Sequence, residues 1–344
     1  MRKKTEIISI LISIIIAAGI MCAVIIRRDT YADASATAEI AMELQTGTVL
    51  KESNADLKLP MASTTKIMTA IIIVEDCDLN RVITVPDAAV GVEGSSIYLK
   101  KGEEINVKDL LYGLMLRSGN DAAAALAIHH SGSTEKFVEV MNTRAKKIGA
   151  CNTSFKNPSG LPDDGHYTTA RDLCEIARYA MQNNTFKEVV SAKSHSGEYR
   201  SFVNKNKMLY NYDGANGVKT GYTMKAGRCL VTSAERNGMD VVCVVLNCPD
   251  MYVRSGDILD ECFNDYNLVK INENNIFMSG VVLCKPAKSG FFVAKKNEKL
   301  DFKVTATDKL KKICKDDLVA ELNIYGQNGL LFSEKLYSIV DRNN

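Results

Sequence analysis

The sequence predicts an α/β protein in which an antiparallel sheet is combined with a cluster of helices and is followed by a small all-β domain. Three observations lead to this fold class. Apolar residues recur at helical spacing over much of residues 63–181, strand-like runs precede and follow that region, and only short runs between lysine-rich turns remain after about residue 269. The 344 residues suit about two domains, and the hydrophobic fraction of 46% is that of a folded chain.

The first 28 residues are predicted to be a signal peptide or an N-terminal membrane anchor. Three basic residues at 2–4 precede a run of uncharged, mostly apolar residues, Ile7–Ile26, and two arginines follow it. Twenty residues of helix reach roughly 30 Å, the thickness of a bilayer core. Small-residue triplets such as Ala32-Asp33-Ala34 are possible cleavage sites, so cleavage and anchoring both stay open. In either case we expect the remaining chain to act outside the cytoplasm. If the N-terminal segment is not cleaved, it is the contact with the cytoplasmic membrane.

The charge is distributed unevenly over three segments, which we take as the domain organisation. The formal net charge is 43 − 41 = +2. Residues 1–28 carry five basic residues and one acid (+4), and residues 269–344 carry 13 basic and 9 acidic residues (+4), which leaves −6 for residues 29–268. We expect a main domain at 29–268 and a β-rich accessory domain at 269–344. The overall balance gives no reason to expect a nucleic-acid partner.

The cysteines and histidines predict neither a disulfide framework nor a metal site. Ten cysteines include one in the apolar run, and the odd number that remains shows no paired spacing. The four histidines lack ligand spacing, so we expect no metal and no cofactor. Five cysteines lie in apolar sequence and are predicted to be buried free thiols: Cys77, Cys151, Cys174, Cys229 and Cys243.

Elements of the main domain are predicted in chain order from hydrophobic period and from capping residues. Strands are predicted at Ala38–Leu44, Thr48–Leu50, Cys229–Glu235 and Met239–Leu246. The last two are joined by Asn237-Gly238, a strong two-residue hairpin signal. Helices are predicted from about Ser63 to Val74, over much of Asn106–His130, after a cap at Thr134 and closed by Gly149, and after a cap at Thr169.

After about Val269 the sequence predicts strands and no helix. The expected strands are Ile276–Cys284, Phe291–Ala294, Phe302–Thr305, Leu318–Tyr325 and Leu330–Val340. Gly326-Gln327-Asn328-Gly329 is predicted to form a hairpin between the last two of these strands.

Ser63-Thr64-Thr65-Lys66 places a hydroxyl and an amine on the same helix face. Residues three apart on a helix are neighbours, so Ser63 and Lys66 are able to meet. A serine is a weak nucleophile unless a neighbour takes its proton, and a lysine takes it only when its pKa is well below 10.4. The apolar run Ile67–Val74 provides the burial that lowers a lysine pKa. Alone, this spacing is frequent by chance, and a solvated lysine would be the better interpretation.

Two further motifs change that interpretation. Ser118-Gly119-Asn120 falls at a break within helical sequence, and Lys219-Thr220-Gly221 lies at the edge of the strand region. The chain thus has three motifs in order: the first on a helix, the second in a helical loop and the third on a strand. This order matches the active-site motifs of serine enzymes that are acylated by penicillin.

With its surroundings, the sequence resembles the D-alanyl-D-alanine carboxypeptidases, which are low-molecular-mass penicillin-binding proteins. The motifs that carry the resemblance are Met61-Ala62-Ser63-Thr64-Thr65-Lys66-Ile67-Met68-Thr69, Ser118-Gly119-Asn120-Asp121-Ala122, Asn157-Pro158-Ser159-Gly160-Leu161, Thr168-Thr169-Ala170-Arg171-Asp172 and Gly217-Val218-Lys219-Thr220-Gly221-Tyr222-Thr223. The resemblance implies a β-lactamase/transpeptidase-like catalytic domain followed by a β-rich domain. It also implies action on peptidoglycan stem peptides ending in D-Ala-D-Ala, with β-lactam antibiotics as inhibitors.

For the catalytic residues, the resemblance implies that Ser63 attacks the D-Ala-D-Ala carbonyl and forms an acyl-enzyme. Lys66 is then the candidate base, and Ser118 relays the proton to the leaving D-Ala amine.

For substrate binding, the resemblance implies that Asn120 bonds the substrate amide and holds Lys66. Lys219 and Thr220, with Ser118, would bind the terminal carboxylate. The oxyanion would lie between the backbone N–H groups of Ser63 and Tyr222. Lys205 is either a second cation for the substrate or a solvated lysine.

Two alternatives remain at this stage. A class A-like β-lactamase shares the motifs but needs a placed carboxylate for deacylation, and Asn157–Asp172 offers only Asp163, Asp164 and Asp172. The glycine of Ser118-Gly119-Asn120 also differs from the class A pattern. The second alternative is a non-catalytic penicillin-binding sensor or wall protein, against which the intact serine and lysine pair argues.

Overall fold

The computed structural model describes residues 36–280, 282–307 and 312–343. The apolar run Ile7–Ile26 and its possible cleavage sites lie outside the described residues. Within the described ranges, no helix has both the length and the apolar character needed to cross a bilayer.

Strands and helices alternate between residues 36 and 265, and the described residues after 265 form only strands and the turns between them. The strands are β1 Ala38–Glu43, β2 Val49–Ser53, β3 Val82–Thr84, β4 Glu104–Asn106, β5 Ser194–Ser196, β6 Ser201–Val203, β7 Ala215–Thr223, β8 Gly227–Arg236, β9 Met239–Leu246, β10 Tyr266–Ile271, β11 Phe277–Ser279, β12 Val282–Pro286, β13 Gly290–Lys295, β14 Asp301–Ala306, β15 Lys312–Ile313, β16 Leu318–Gly326, β17 Gly329–Ser338 and β18 Arg342–Asn343. The α-helices are α1 Lys66–Asp76, α2 Val107–Leu116, α3 Asn120–Ser131, α4 Thr134–Ile148, α5 Ala170–Met181, α6 Asn184–Ser191, α7 Met208–Asn211 and α8 Met251–Asp265.

The main sheet is antiparallel and has the strand order β2-β1-β9-β8-β7. The predicted hairpin between β8 and β9 is present, and Asn237 and Gly238 have φ of 53° and 78°, as its two-residue turn requires. One face of the sheet shares a hydrophobic core with the helices α1–α6, and the other face packs on α8. This arrangement confirms the predicted combination of an antiparallel sheet with a helical cluster, and it leaves β7 as an edge strand.

Local capping positions the helices near the site. Thr169 caps α5 as predicted, because its side chain accepts a hydrogen bond from the Asp172 N–H. The predicted cap at Thr134 is wrong by one residue: Ser133 caps α4 and accepts from the Lys136 N–H. Gly149 ends that helix with φ of 97°, the left-handed conformation that favours glycine.

Helix α8 was not predicted from the sequence. Its buried stripe, Ile258, Leu259, Cys262 and Phe263, covers the face of the sheet opposite the helical cluster. Gly256 and several acidic residues within α8 weaken the local helical signal, and tertiary packing decides the conformation instead.

The C-terminal region is an all-β domain, as predicted, with its own core. A five-stranded sheet has the order β11-β12-β17-β16-β14, and β10 pairs with β13 beside it. The predicted strand Ile276–Cys284 is two strands, because the chain reverses at Gly280 with φ of 60°. Strand β10 was missed, and it spans the proposed domain boundary between residues 268 and 269, which stays a prediction.

The prediction of five buried thiols holds for three of them. Cys174, Cys229 and Cys243 are buried, and burial raises the pKa of each thiol. Cys151 is exposed and Cys77 is half-buried. Cys151 lies in the loop after α4, where the apolar neighbours in sequence do not cover it.

Candidate active site

Ser63 and Lys66 meet at the start of the first long helix. Ser63 lies in a 3-10 turn, Ala62–Thr65, that leads directly into α1. The Nζ atom of Lys66 is 3.0 Å from Ser63 Oγ, and it also donates to Asn120 Oδ1 at 2.7 Å and to the Ser159 carbonyl oxygen at 2.5 Å. The side chain of Lys66 is fully buried. The serine hydroxyl and the buried lysine amine are therefore held in hydrogen-bonding contact.

Two causes lower the pKa of Lys66 well below its ordinary value. Burial is the larger cause, and the positive charge of Lys219 is the second, while Asp121 opposes both. A lysine in this setting is able to exist as the neutral amine, and only the neutral amine accepts a proton from serine.

Ser118 and Asn120 are presented by the break between α2 and α3. Ser118 has φ of 65°, so it leaves the helical path, and α3 begins again at Asn120. The Asn120 side-chain amide donates to the Glu93 carbonyl at 2.5 Å, which directs its oxygen toward Lys66. The buried carboxylate of the next residue, Asp121, accepts from Ile97 N–H and Ser96 Oγ and holds the neighbouring loop.

Lys219, Thr220 and Tyr222 lie on the edge strand β7, which packs against the serine turn. A Cβ at Gly221 would be 3.1 Å from the backbone nitrogen atoms of Ser63 and Thr64, so the strand backbone touches the turn. Lys219 is buried and donates to the Thr220 carbonyl at 2.9 Å. Burial, and then the charge of Lys205, lower the pKa of Lys219 to about 7. The Tyr222 side chain is exposed, and the residue lies at the rim of the site.

A cleft of about 440 Å³ opens over these groups. Of the predicted residues, Ser63, Ser118, Thr220, Tyr222 and Lys205 line it. Three predicted residues are buried beneath the cleft: Lys66, Asn120 and Lys219. Lys66 contacts Ser63 and Asn120, and Lys219 donates to the Thr220 carbonyl. Sequence reasoning missed four lining residues, Ser95, Arg228, Met251 and Tyr252. Arg228 lies on β8 directly opposite Tyr222, so only the register of strand pairing would have placed it at the site.

The segment Asn157–Leu161, called the floor segment below, lies beside Lys66 and contacts it through the Ser159 carbonyl. The sequence did not reveal this role. The Asn157 Oδ1 atom accepts from the backbone N–H groups of Ser159, Gly160 and Leu161. This bonding bends the segment so that the Ser159 carbonyl faces the Nζ atom of Lys66.

The three carboxylates considered for a β-lactamase are engaged elsewhere. Asp172 accepts from the Asn152 N–H and the Thr153 hydroxyl. Asp164 pairs with Lys225, and Asp163 accepts from the Gly165 N–H. Across the described residues, no group of three His, Cys, Asp or Glu side chains is arranged as a metal site.

Together, a serine bonded to a buried lysine, a Ser-Gly-Asn loop and a Lys-Thr-Gly edge strand around one cleft define the class of active-site serine proteins that includes penicillin-binding proteins and serine β-lactamases. The family described as D-alanyl-D-alanine carboxypeptidase matches residues 26–250 of the sequence. The chain belongs to this family.

Individual relatives agree with this assignment. The chain is 35% identical over 253 residues to D-alanyl-D-alanine carboxypeptidase DacF of Bacillus subtilis, covering 70% of this chain and 65% of DacF. It is 37% identical over 265 residues to a D-alanyl-D-alanine carboxypeptidase of Streptomyces sp. K15, covering 71% of this chain and 91% of that protein. The solved structure of DacD from Francisella tularensis matches with a TM-score of 0.73 and 26% identity, over 90% of this chain and 94% of that chain.

Proposed function

We propose that the protein is a serine-type D-Ala-D-Ala carboxypeptidase that removes the terminal D-Ala from peptidoglycan stem pentapeptides. The observation that carries this proposal is the contact between Ser63 Oγ and the Nζ atom of a fully buried Lys66, with a second buried lysine, Lys219, beneath the same cleft beside Thr220. Membership of a family that bears this activity in its name supports the proposal.

In the first step, Ser63 Oγ attacks the carbonyl carbon between the two D-Ala residues. The serine proton passes to the neutral amine of Lys66, and a tetrahedral oxyanion forms. The C–N bond then breaks, and the proton reaches the leaving D-Ala amine from Lys66 through the Ser118 hydroxyl. The products are free D-Ala and an ester between Ser63 and the shortened peptide.

The substrate is held by groups whose charges match its own. The terminal carboxylate binds Lys219 and the hydroxyl groups of Thr220 and Ser118, because a carboxylate needs a cation and hydroxyl donors. The Asn120 amide bonds the peptide amide of the substrate. The backbone N–H groups of Ser63 and Tyr222 stabilise the oxyanion, and the packing of β7 against the serine turn supports this pairing.

The β-lactamase alternative is not favoured. Fast hydrolysis of a penicilloyl ester needs a carboxylate that activates water, and Asp163, Asp164 and Asp172 bond to other groups. We therefore expect β-lactams to acylate Ser63 and to leave slowly, as inhibitors rather than substrates.

Two measurements on the full chain test the proposal. A fluorescent penicillin should label the wild-type protein covalently and should not label Ser63→Ala, and mass spectrometry should find one D-Ala released from each pentapeptide. Labelling without release would favour the penicillin-binding sensor, and rapid turnover of the penicillin would favour the β-lactamase. Labelling at a different residue would overturn the assignment of Ser63.

We also propose that the enzyme acts outside the cytoplasm, facing the cell wall, with residues 1–28 as the signal or anchor. The basic residues before Ile7–Ile26 would stay on the cytoplasmic side of the membrane. Replacing residues 1–28 by a cleavable signal should move the protein to the soluble fraction. Sedimentation of that protein with membranes in high salt would show that another segment attaches it.

A further inference from the structure

His166 is a buried titratable residue that the proposed mechanism does not use. Its side chain is almost completely inaccessible, and the Phe155 ring packs edge-on against it with ring centroids 5.9 Å apart. The Nε2 atom of His166 lies 2.8 Å from the hydroxyl oxygen of Thr65, which belongs to the turn that carries Ser63. A histidine from a distant loop thus contacts the nucleophile turn directly.

The hydrogen-bond network assigns one tautomer to His166. The Thr65 hydroxyl donates its single proton to the Ala62 carbonyl at 2.8 Å, so toward His166 it only accepts. The Nε2 atom of His166 therefore carries a proton. The Nδ1 atom accepts from the Lys156 N–H at 3.1 Å, so it carries none. The imidazole is neutral and bonds at both nitrogen atoms.

The electrostatic setting of His166 favours this neutral form. The pKa of His166 is lowered to about 4, and burial is the main cause; Asp163 acts in the opposite direction, and Lys66 makes a smaller contribution that lowers the pKa. The ion pair between Lys225 and Asp164 lies at the same loop. Around neutral pH the imidazole therefore keeps its donor toward Thr65 and its acceptor toward Lys156.

The bond to Thr65 acts on a strained part of the backbone. Ala62 has φ of 48°, a left-handed conformation that alanine adopts rarely, and it directly precedes Ser63. Such a conformation persists only where the surroundings hold it. The Thr65 hydroxyl holds the Ala62 carbonyl, and His166 fixes the direction of that hydroxyl by occupying its acceptor side.

We propose that His166 is a positioning residue for Ser63: by bonding Thr65 it holds the Ala62 carbonyl, and thereby the strained turn that presents the serine hydroxyl to Lys66. His166 exchanges no proton with the substrate in this role. The inference rests on the proposed function, because the quantity it affects is the rate of acylation at Ser63.

Two substitutions at position 166 separate the two hydrogen bonds. Glutamine extends an amide N–H to about the position of Nε2 and retains the bond to Thr65. Asparagine reaches only the position of Nδ1, so it retains the bond to Lys156 and loses the one to Thr65. We expect His166→Asn to lower the limiting acylation rate about 10- to 100-fold, as a small displacement of a reacting atom does, and His166→Gln to stay within about 3-fold of wild type. The dissociation constant for the non-covalent penicillin complex should change little in both variants.

The partner residue gives an independent pair of variants. Thr65→Val removes the hydroxyl and should slow acylation as His166→Asn does, whereas Thr65→Ser keeps the hydroxyl and should not. If the two residues act through one bond, the double variant His166→Asn/Thr65→Val should be no slower than the slower single variant. His130→Asn, at the far end of α3, is the matched control and should keep the wild-type rate. The Thr65 pair decides the question if His166→Asn does not fold.

The outcomes distinguish this inference from the proposed function. A wild-type protein that penicillin does not acylate would overturn the proposed function itself. Normal acylation of wild type, with equal rates for His166→Asn and His166→Gln or with multiplicative effects in the double variant, would overturn the positioning role alone. Rates are measured by stopped-flow fluorescence on the full chain, and thermal unfolding confirms that each variant is folded.

Discussion

Gly160 lies so close to Ala62 that a Cβ at position 160 would be 1.9 Å from the Ala62 carbonyl oxygen. Gly160 also has φ of 87°, a conformation that favours glycine. The backbone of the floor segment therefore touches the backbone of the serine turn with no side chain between them. This contact keeps the Ser159 carbonyl, one residue earlier, within reach of Lys66.

Gly160→Ala should consequently damage both stability and activity. The added methyl group cannot be accommodated without moving the serine turn, so we expect a loss of more than about 2 kcal/mol in the free energy of unfolding and at least a roughly tenfold slower acylation. Gly132→Ala is the matched control, because Gly132 has φ of 79° but open space around its α-carbon. It should lose only about 1 kcal/mol and keep its acylation rate. Equal effects in the two variants would show that backbone strain alone is responsible.

Lys219 should determine preference for a free carboxylate. Lys219→Gln removes the cation and keeps a hydrogen-bond donor, so kcat/KM for a D-Ala-D-Ala peptide should fall about 100-fold or more. The matching C-terminal amide of the peptide should lose far less, because it has no charge to recognise. Carboxylate recognition is wrong if the two substrates lose the same factor in a steady-state assay.

The pH dependence of the wild-type enzyme should follow from the same lysine. The pKa of Lys219 is about 7 in the free enzyme, so its positive charge is present below pH 7 and is lost as the pH rises. We expect kcat/KM for the carboxylate peptide to fall above about pH 7 by up to tenfold per unit, and that for the amide peptide to lack this decrease. On the acidic side, protonation of Lys66 should lower both values, because its neutral amine is the base.

The buried charge of Lys219 should also reduce the stability of the protein. The pKa is 10.5 in the unfolded chain and about 7 when folded, so the unfolded state binds the proton more tightly. Stability contributed by this group is therefore present above pH 10.5 and is lost as the pH falls to 7. Lys219→Met should raise the free energy of unfolding at pH 7 by about 1 kcal/mol or more, roughly 2–4 °C in melting temperature.

The control for this prediction is Lys225→Met, which changes an exposed lysine and should stay within about 0.5 kcal/mol of wild type. The stabilisation by Lys219→Met should also shrink as the pH approaches 10.5. A lower melting temperature for Lys219→Met at pH 7 would contradict the idea that the buried charge is unfavourable.

Turns and helix caps depend on residues that are neighbours in the sequence, and the sequence predicted two of these features correctly. The Asn237-Gly238 turn and the cap at Thr169 are short-range signals, and the structure has both. Recognition of the motifs around Ser63 and Lys219 placed side chains that are more than 150 positions apart in one cleft. Contacts made by backbone atoms left no such signal. The Ser159 carbonyl bonds Lys66, and the need for glycine at 160 is visible only once Ala62 is known to lie against it.

The main sheet joins the two ends of the catalytic region. Strand β1 pairs with β9, and Asn247 donates a hydrogen bond to Thr37 across 210 positions of the chain. During synthesis at about 5–20 residues per second, β1 therefore waits roughly 10–40 s for its central partner. Until β9 is synthesised, one edge of β1 lacks its native partner strand and is able to pair with another chain. Because this pairing joins residues about 200 positions apart, we expect the sheet to form slowly, and the free edge of β1 is exposed to aggregation until it does.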